Sequence, residues 1–180
     1  TLDEVSTDTA DTHTLTLVAG AGNVVIDDNV GVAAMELAGV VVTSATDVTF
    51  SGVAATIDVD VLTVASALGD TQFDGVVAVG GPIDVNSDTV TVSVGATITT
   101  TAAGTVTITN GNAVGDVSAI GATITSAGDL VFDGVGRLDV GAALEATDAN
   151  AVVNVVGSEL RLTGDVSRTT HDGAITLDEV

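Results

Sequence analysis

The chain of 180 residues carries 25 Asp and Glu against 3 Lys and Arg, a formal net charge of −22, yet 46% of its residues are hydrophobic. That combination excludes a disordered acidic tail, in which high charge goes with low hydrophobicity, and it argues against nucleic acid and anionic membranes as partners, since both select for positive charge. With no Cys there is no disulfide or thiolate metal site, and with no Trp, no Tyr and 3 Phe the core has to be narrow and aliphatic.

The abundant uncharged residues are Val, Thr, Ala and Gly, with Ile beside them among the β-branched ones. β-Branching stiffens χ1 and packs well on a pleated surface, so the expectation is an all-β chain. A two-sheet sandwich commonly uses a large aromatic to fill the gap between its sheets. A thin solenoid can be filled by stacked small aliphatics alone. No run approaches the ~18 apolar residues of a membrane helix, so membrane insertion is not expected. The acidic opening Thr1-Leu2-Asp3-Glu4-Val5 is no signal peptide, and an export signal would lie outside this segment.

Along the chain, strands are expected to end where a large aliphatic or Phe meets Asp, Ser or Thr. The landmarks are Leu2-Asp3, Ile26-Asp27, Phe50-Ser51, Phe73-Asp74, Val92-Ser93, Ile108-Thr109, Phe132-Asp133, Val155-Val156 and Leu177-Asp178. Their offsets are 24, 24, 23, 19, 16, 24, 23 and 22 residues. Such a period predicts a β-solenoid (β-helix) of about eight coils, roughly 22–24 residues each; its right hand comes only with the resemblance named below. The 19 and 16 mark an irregular coil around Pro82 to Thr101. Val32-Ala33-Ala34-Met35-Glu36-Leu37 could pass for a turn of helix but reads better as a bridge between strands. Asn110-Gly111 and the Asp-Gly pairs read as turns, because Gly tolerates φ > 0 and Asn or Asp bonds locally to backbone.

One larger repeat stands out. Thr1-Leu2-Asp3-Glu4-Val5 is identical to Thr176-Leu177-Asp178-Glu179-Val180, 175 residues on, and Glu is scarce in this chain. Residues 1–180 are therefore expected to form a single solenoid segment, one 175-residue period of a longer tandem array. A solenoid exposes sheet edges at both ends, and continuation by more of the same sequence is the simplest way to cover them.

The strand–turn texture repeats as well. Asp47-Val48-Thr49-Phe50-Ser51-Gly52-Val53 matches Asp129-Leu130-Val131-Phe132-Asp133-Gly134-Val135, and Gly95-Ala96-Thr97-Ile98-Thr99 matches Gly121-Ala122-Thr123-Ile124-Thr125. This texture resembles the β-strand repeats of giant bacterial surface proteins, the filamentous-haemagglutinin-like adhesins and fibres. The resemblance implies a right-handed β-helix at the cell surface or outside the cell, used for adhesion or matrix. It brings no functional residues with it.

Calcium is the candidate cofactor, although none is required. Hard cations take several oxygen ligands, and Asp84-Val85-Asn86-Ser87-Asp88 has the D-x-N-x-D opening of a calcium loop. Thr89 and Gly95 then stand where such a loop needs Gly and Glu, so a helix-flanked calcium hand is rejected. Asp27 and Asp28 are further candidate ligands, as are Asp58 and Asp60. The plainer reading is that these acids end strands and keep the rod soluble. Stacked one coil apart, like charges would repel by ~0.9 kcal/mol in water-like dielectric, so salt, cations or a staggered arrangement has to relieve them. Catalysis finds little support: there is no Lys, His13 and His171 lie far apart in sequence, and no Trp or Tyr offers a sugar-stacking platform. Exposed Ser and Thr could carry O-linked glycans. The function expected is a structural repeat unit of a secreted extracellular filament, stalk or matrix fibre, partnered by itself end to end or side by side. The alternatives are the passenger rod of a cell-surface adhesin and, behind it, a calcium-dependent surface-layer component or a polysaccharide-active β-helix enzyme.

Overall fold

The computed structural model describes Val5 and residues 12–31, 37–51, 56–111, 116–134, 136–157, 159–164, 168–171 and 173–179. Among these residues every paired strand is parallel and there is no helix. Among the described residues the chain is a β-solenoid with three faces, each built from parallel strands stacked coil on coil. The first face stacks β1 (Thr14–Val18), β3 (Gly39–Ser44), β6 (Leu62–Phe73), β8 (Ile83–Val92), β10 (Val106–Asn110), β13 (Leu130–Gly134), β16 (Val153–Gly157) and β19 (Ile175–Glu179). The second stacks β2 (Val24–Ile26), β4 (Val48–Phe50), the later halves of β6 and β8, β11 (Val117–Ile120), β14 (Arg137–Val140) and β17 (Glu159–Leu162). The third is a six-stranded sheet of β5 (Thr56–Val59), β7 (Val76–Val79), β9 (Thr97–Thr100), β12 (Ile124–Ser126), β15 (Leu144–Ala149) and β18 (Arg168–His171).

That six-stranded face counts about six turns, fewer than the eight coils expected. The landmark count ran from Leu2 to Leu177 and so included passes that lack a described strand on every face. Both copies of the repeated pentapeptide fall partly, and Val32 to Glu36 entirely, outside the described residues. Val5 is described and bridges Val30, which in turn bridges Ile57 on the third face.

Strand alternation sends every second side chain inward, and coil-to-coil register lines those side chains up in columns. On the first face Val40, Leu62, Ile83, Val106, Leu130 and Val153 stack in order, none more than 1% exposed. On the second face Ile26, Phe50, Phe73, Val92, Ile120 and Val140 stack likewise, none more than 2% exposed. Within that column the Phe50 and Phe73 rings stack, with centroids 4.9 Å apart, which matches the spacing of neighbouring strands. Full burial of one such side chain contributes about 1.5–3 kcal/mol, and each coil repeats it on three faces.

Coil length is more even than the landmarks suggest. From Leu15 through Val40, Leu62, Ile83, Val106, Leu130 and Val153 to Ile175, the first-face column advances by 25, 22, 21, 23, 24, 23 and 22 residues. The offset of 16 between Val92 and Ile108 is no short coil. Val92 belongs to the second-face column and Ile108 to the first, so the landmark changes face at that point. Irregularity lies on the second face, where Phe73 to Val92 spans 19 residues and Val92 to Ile120 spans 28. Asn110 also departs from the turn reading. It closes β10, is 8% exposed, and its Nδ2 donates to Ser118 Oγ at 2.9 Å. Ser118 Oγ in turn accepts Val90 N–H at 2.9 Å, satisfying a buried backbone donor.

The corner from the third face back to the first is held by buried hydroxyls. Thr100 Oγ1 donates to Gly104 O at 2.6 Å and accepts Ala127 N–H at 2.9 Å. Ser126 Oγ lies 3.0 Å from Gly104 O and 2.9 Å from Asp129 O, within reach of donating to either. Between Thr101 and Gly104 the chain makes a tight turn, Gly104 N–H donating to Thr101 O at 2.8 Å, with Ala102 and Ala103 at φ 48° and 61°. Two non-glycine residues in the left-handed region are uncommon and cost energy; the surrounding hydroxyl bonds hold the turn in place.

Gly104 is the tightest point of this corner, because a Cβ there would lie 2.1 Å from Gly81 O, a backbone atom. Gly104→Ala is expected to lower stability by about 1–3 kcal/mol in urea or thermal unfolding. Gly111→Ala, where no atom lies within 4 Å, is expected to stay within about 0.5 kcal/mol of the parent.

Candidate functional surface

The five candidate calcium ligands do not converge. Asp84 and Asn86 are exposed on the same face of β8, about 7 Å apart along an extended strand, and Asp88 stands on the bend where β8 passes from the first face to the second. Inward residues on either side of that bend are Ser87 and Val90, three apart instead of two. The segment is therefore a strand crossing a corner, and its alternate polar residues are the outward half of a pleat. Asp27 and Asp28 lie elsewhere, on the corner after β2. Asp28 Oδ1 accepts Asn29 N–H at 2.8 Å and Asp27 accepts the Ser51 hydroxyl. Among the described residues no group of three or more acidic or histidine side chains is gathered as a metal site.

The acids are instead kept apart by register. In none of the paired strands among the described residues does an acid face an acid in the next coil. Asp84 has Thr63 on one side and Thr107 on the other. Asp133 has Thr109 and Val156, and Asp58 is followed by Ala78. Glu145 has Thr125 and Thr169. Two coil spacings, about 9.6 Å, halve the Coulomb term relative to direct stacking and bring it close to the screening length at physiological salt.

Where corners place acids near each other in the stack, hydroxyls and amides intervene. At the corner after the second face the sequence from coil to coil is Asp27, Ser51, Asp74, Ser93. Ser51 Oγ donates to Asp27 and Ser93 Oγ to Asp74, whose two oxygens also accept Gln72 Nε2 at 2.8 and 2.9 Å. At the opposite corner Asp47 Oδ1 accepts Asp70 N–H at 3.1 Å, and Thr89 Oγ1 donates to Asp70. This hydroxyl–carboxylate alternation escaped the motif search, although the residues were among its landmarks.

Two of the three Arg residues stand in neighbouring strands of the second face. Arg137 Nε lies 2.8 Å from Asp139 Oδ1. In the next coil Glu159 stands opposite Arg137 and Arg161 opposite Asp139, so the four charges form a chequerboard on the second face. A shallow groove of about 180 Å³ on the third face brings Asp58 and Asp60 beside Thr99 and Thr101. Among the described residues its lining includes no His, Arg or aromatic side chain. His13 is exposed near β1, its Nδ1 2.7 Å from Thr12 Oγ1, and His171 closes β18 at the far end of the described stack.

In the last described strands the column residues are more exposed. Ile175 and Leu177 are 45% exposed and Leu162 50%, whereas Val153, Val155 and Val140, directly beneath them, are 0–3% exposed.

If spacing of the acids is what makes this surface tolerable, placing an acid beside another should be costly. Thr107→Asp, next to Asp84, is expected to lose about 1 kcal/mol of stability at low ionic strength. The loss should shrink towards zero in molar salt, where screening acts over ~3 Å, while Thr107→Asn is neutral throughout. A salt-independent loss would mean that something other than charge is responsible. No family model matches the chain, and no curated protein or solved structure matches it.

Proposed function

We propose that this chain is a structural repeat unit of a secreted extracellular filament, stalk or matrix fibre, with no catalytic role and no required cofactor. What supports the reading is coil-on-coil repetition: the same inward aliphatic columns recur through the described coils in parallel register. In a quasi-one-dimensional stack each coil contacts only its neighbours, so more coils complete it without altering what lies below. The identity of Thr1–Val5 with Thr176–Val180 supports the same reading in covalent form, a tandem array with a 175-residue period. That no acid faces an acid across the paired strands described supports close stacking of a chain of net charge −22, and repulsion between rods keeps a filament soluble.

A cell-surface adhesin whose passenger rod ends in a binding tip is the alternative. Its resemblance-based support is equal, and assembly separates the two. Electron microscopy of the purified chain is expected to show filaments of uniform width and variable length. Finite rods of one length at every concentration would favour the adhesin. Melting temperatures are expected to coincide in chelator and in millimolar calcium at matched ionic strength. A rise specific to calcium would give Asp84, Asn86, Asp88, Asp27 and Asp28 a metal-binding role after all.

A further inference from the structure

Asn110-Gly111 is the one Asn-Gly step in the chain, and it carries a reaction that the fold has to restrain. In an unfolded chain such a step closes on itself. The Gly nitrogen is unhindered for want of a neighbouring Cβ, and Gly lets the backbone take up the cyclic shape. In this molecule both reacting groups are engaged. Asn110 ends β10 with Ser87 opposite it in the coil before and Gly134 in the coil after. Its side chain is 8% exposed, and Nδ2 donates to Ser118 Oγ at 2.9 Å. Gly111 N–H donates to Ser87 O at 2.9 Å. The amide is thus tied to one neighbour and the backbone nitrogen to another. Gly134 makes room for the amide, since a Cβ there would collide with Asn110 Oδ1.

We infer that Asn110 is a site of spontaneous deamidation, suppressed by these coil-to-coil bonds and released when the end of β10 opens. In the open chain Gly111 N bonds to Asn110 Cγ, its proton passes to the departing Nδ2, and ammonia leaves. Water from the solvent then opens the cyclic imide at either carbonyl, giving Asp or isoaspartate at position 110. No enzyme, oxidant or cofactor enters the balance.

The product does not fit the place that the amide left. Either form puts a carboxylate where a neutral amide donated to Ser118, and an ionised carboxylate has no proton to donate and resists burial. Isoaspartate also routes the main chain through the side-chain carbon, which lengthens the step to Gly111 and draws its N–H off Ser87 O. Ser118 Oγ accepts Val90 N–H as well, so the damage passes from the first face to the second, at the step of 28 residues between Val92 and Ile120. The change runs one way: a coil that stays open long enough to react closes less well afterwards. This holds whether or not the chain builds fibres.

Peptide mass spectrometry tests it by following Asp and isoaspartate at position 110 in the whole chain at neutral pH, folded and in denaturing guanidinium chloride. Conversion is expected to be at least about tenfold slower in the folded chain, because a reaction of a rarely opened state tracks the population of that state. Ser118→Ala, which frees the amide, and Gly134→Ala, which evicts it, are expected to speed conversion in the folded chain and to leave the denatured rate unchanged. Gly111→Ala is expected to slow conversion in the denatured chain. Chains converted while denatured and then refolded are expected to unfold at lower denaturant than unconverted chains taken through the same cycle, with isoaspartate more harmful than Asn110→Asp. Should Ser118→Ala or Gly134→Ala fail to fold, denaturant below the unfolding midpoint gives the same test in the unaltered chain, where conversion should rise with each increment. Equal rates in the folded and denatured chain, or no conversion when denatured, would overturn the inference. So would a Ser118→Ala chain that folds and reacts no faster.

Discussion

The structure depends on side chains of one coil resting on the matching side chains of the next. Parallel register aligns Val on Leu on Ile, and the same register satisfies the backbone between coils, so hydrophobic burial and hydrogen bonding reinforce one alignment. A one-residue slip would put every column on the wrong face. This explains why first-face steps stay between 21 and 25 residues. Variation is pushed instead into the second face and its corners, where a 19-residue step is followed by one of 28. The absence of Trp and Tyr follows from the same constraint: a bulky side chain in one coil has to be matched by its neighbours above and below. The paired rings of Phe50 and Phe73 show how such a match is made.

Outside the columns, the same register governs charge. A residue's nearest neighbour on the surface is the residue one coil away, not its neighbour in sequence. The surface therefore avoids acid over acid and places Thr, Ser, Ala or Val between carboxylates. Where chain geometry brings acids together at corners, Ser51, Ser93 and Thr89 donate to them. A high net charge and a close-stacked fold coexist because the charge is dispersed along the direction in which the coils touch.

Most of the architecture was legible from composition and period. Small β-branched residues, scarce aromatics and a spacing of roughly two dozen residues are direct consequences of column packing. What was not legible had physical causes. The landmarks at Val92 and Ile108 look alike because the ends of the first and second faces use the same aliphatic–polar step, so a change of face passed for a short coil. Asp84, Asn86 and Asp88 share the spacing of two with both a calcium loop's opening and the outward edge of a strand, so spacing alone could not show that β8 carries them. Asn110 read as a turn residue because an Asn before Gly favours a turn, yet its amide is drawn inward to Ser118. The left-handed pair Ala102 and Ala103 had no signal at all, since alanine gives no hint of positive φ. The alternation Asp27, Ser51, Asp74, Ser93 was in plain view and needed only the knowledge that these four residues share a corner.

The uniform advance of the first-face column bears on how such a protein can change over generations. Because Val106 touches the coil above and the coil below and nothing more distant on that face, a whole turn can be duplicated or deleted and the new neighbours still find aliphatic partners at the same height. Lengths gained or lost in units of one turn leave the remainder undisturbed, whereas a gain of a few residues inside a strand would disturb every column it crosses. Divergence in this molecule should therefore be written in whole turns and in corner loops, and family members should differ in reach long before they differ in cross-section.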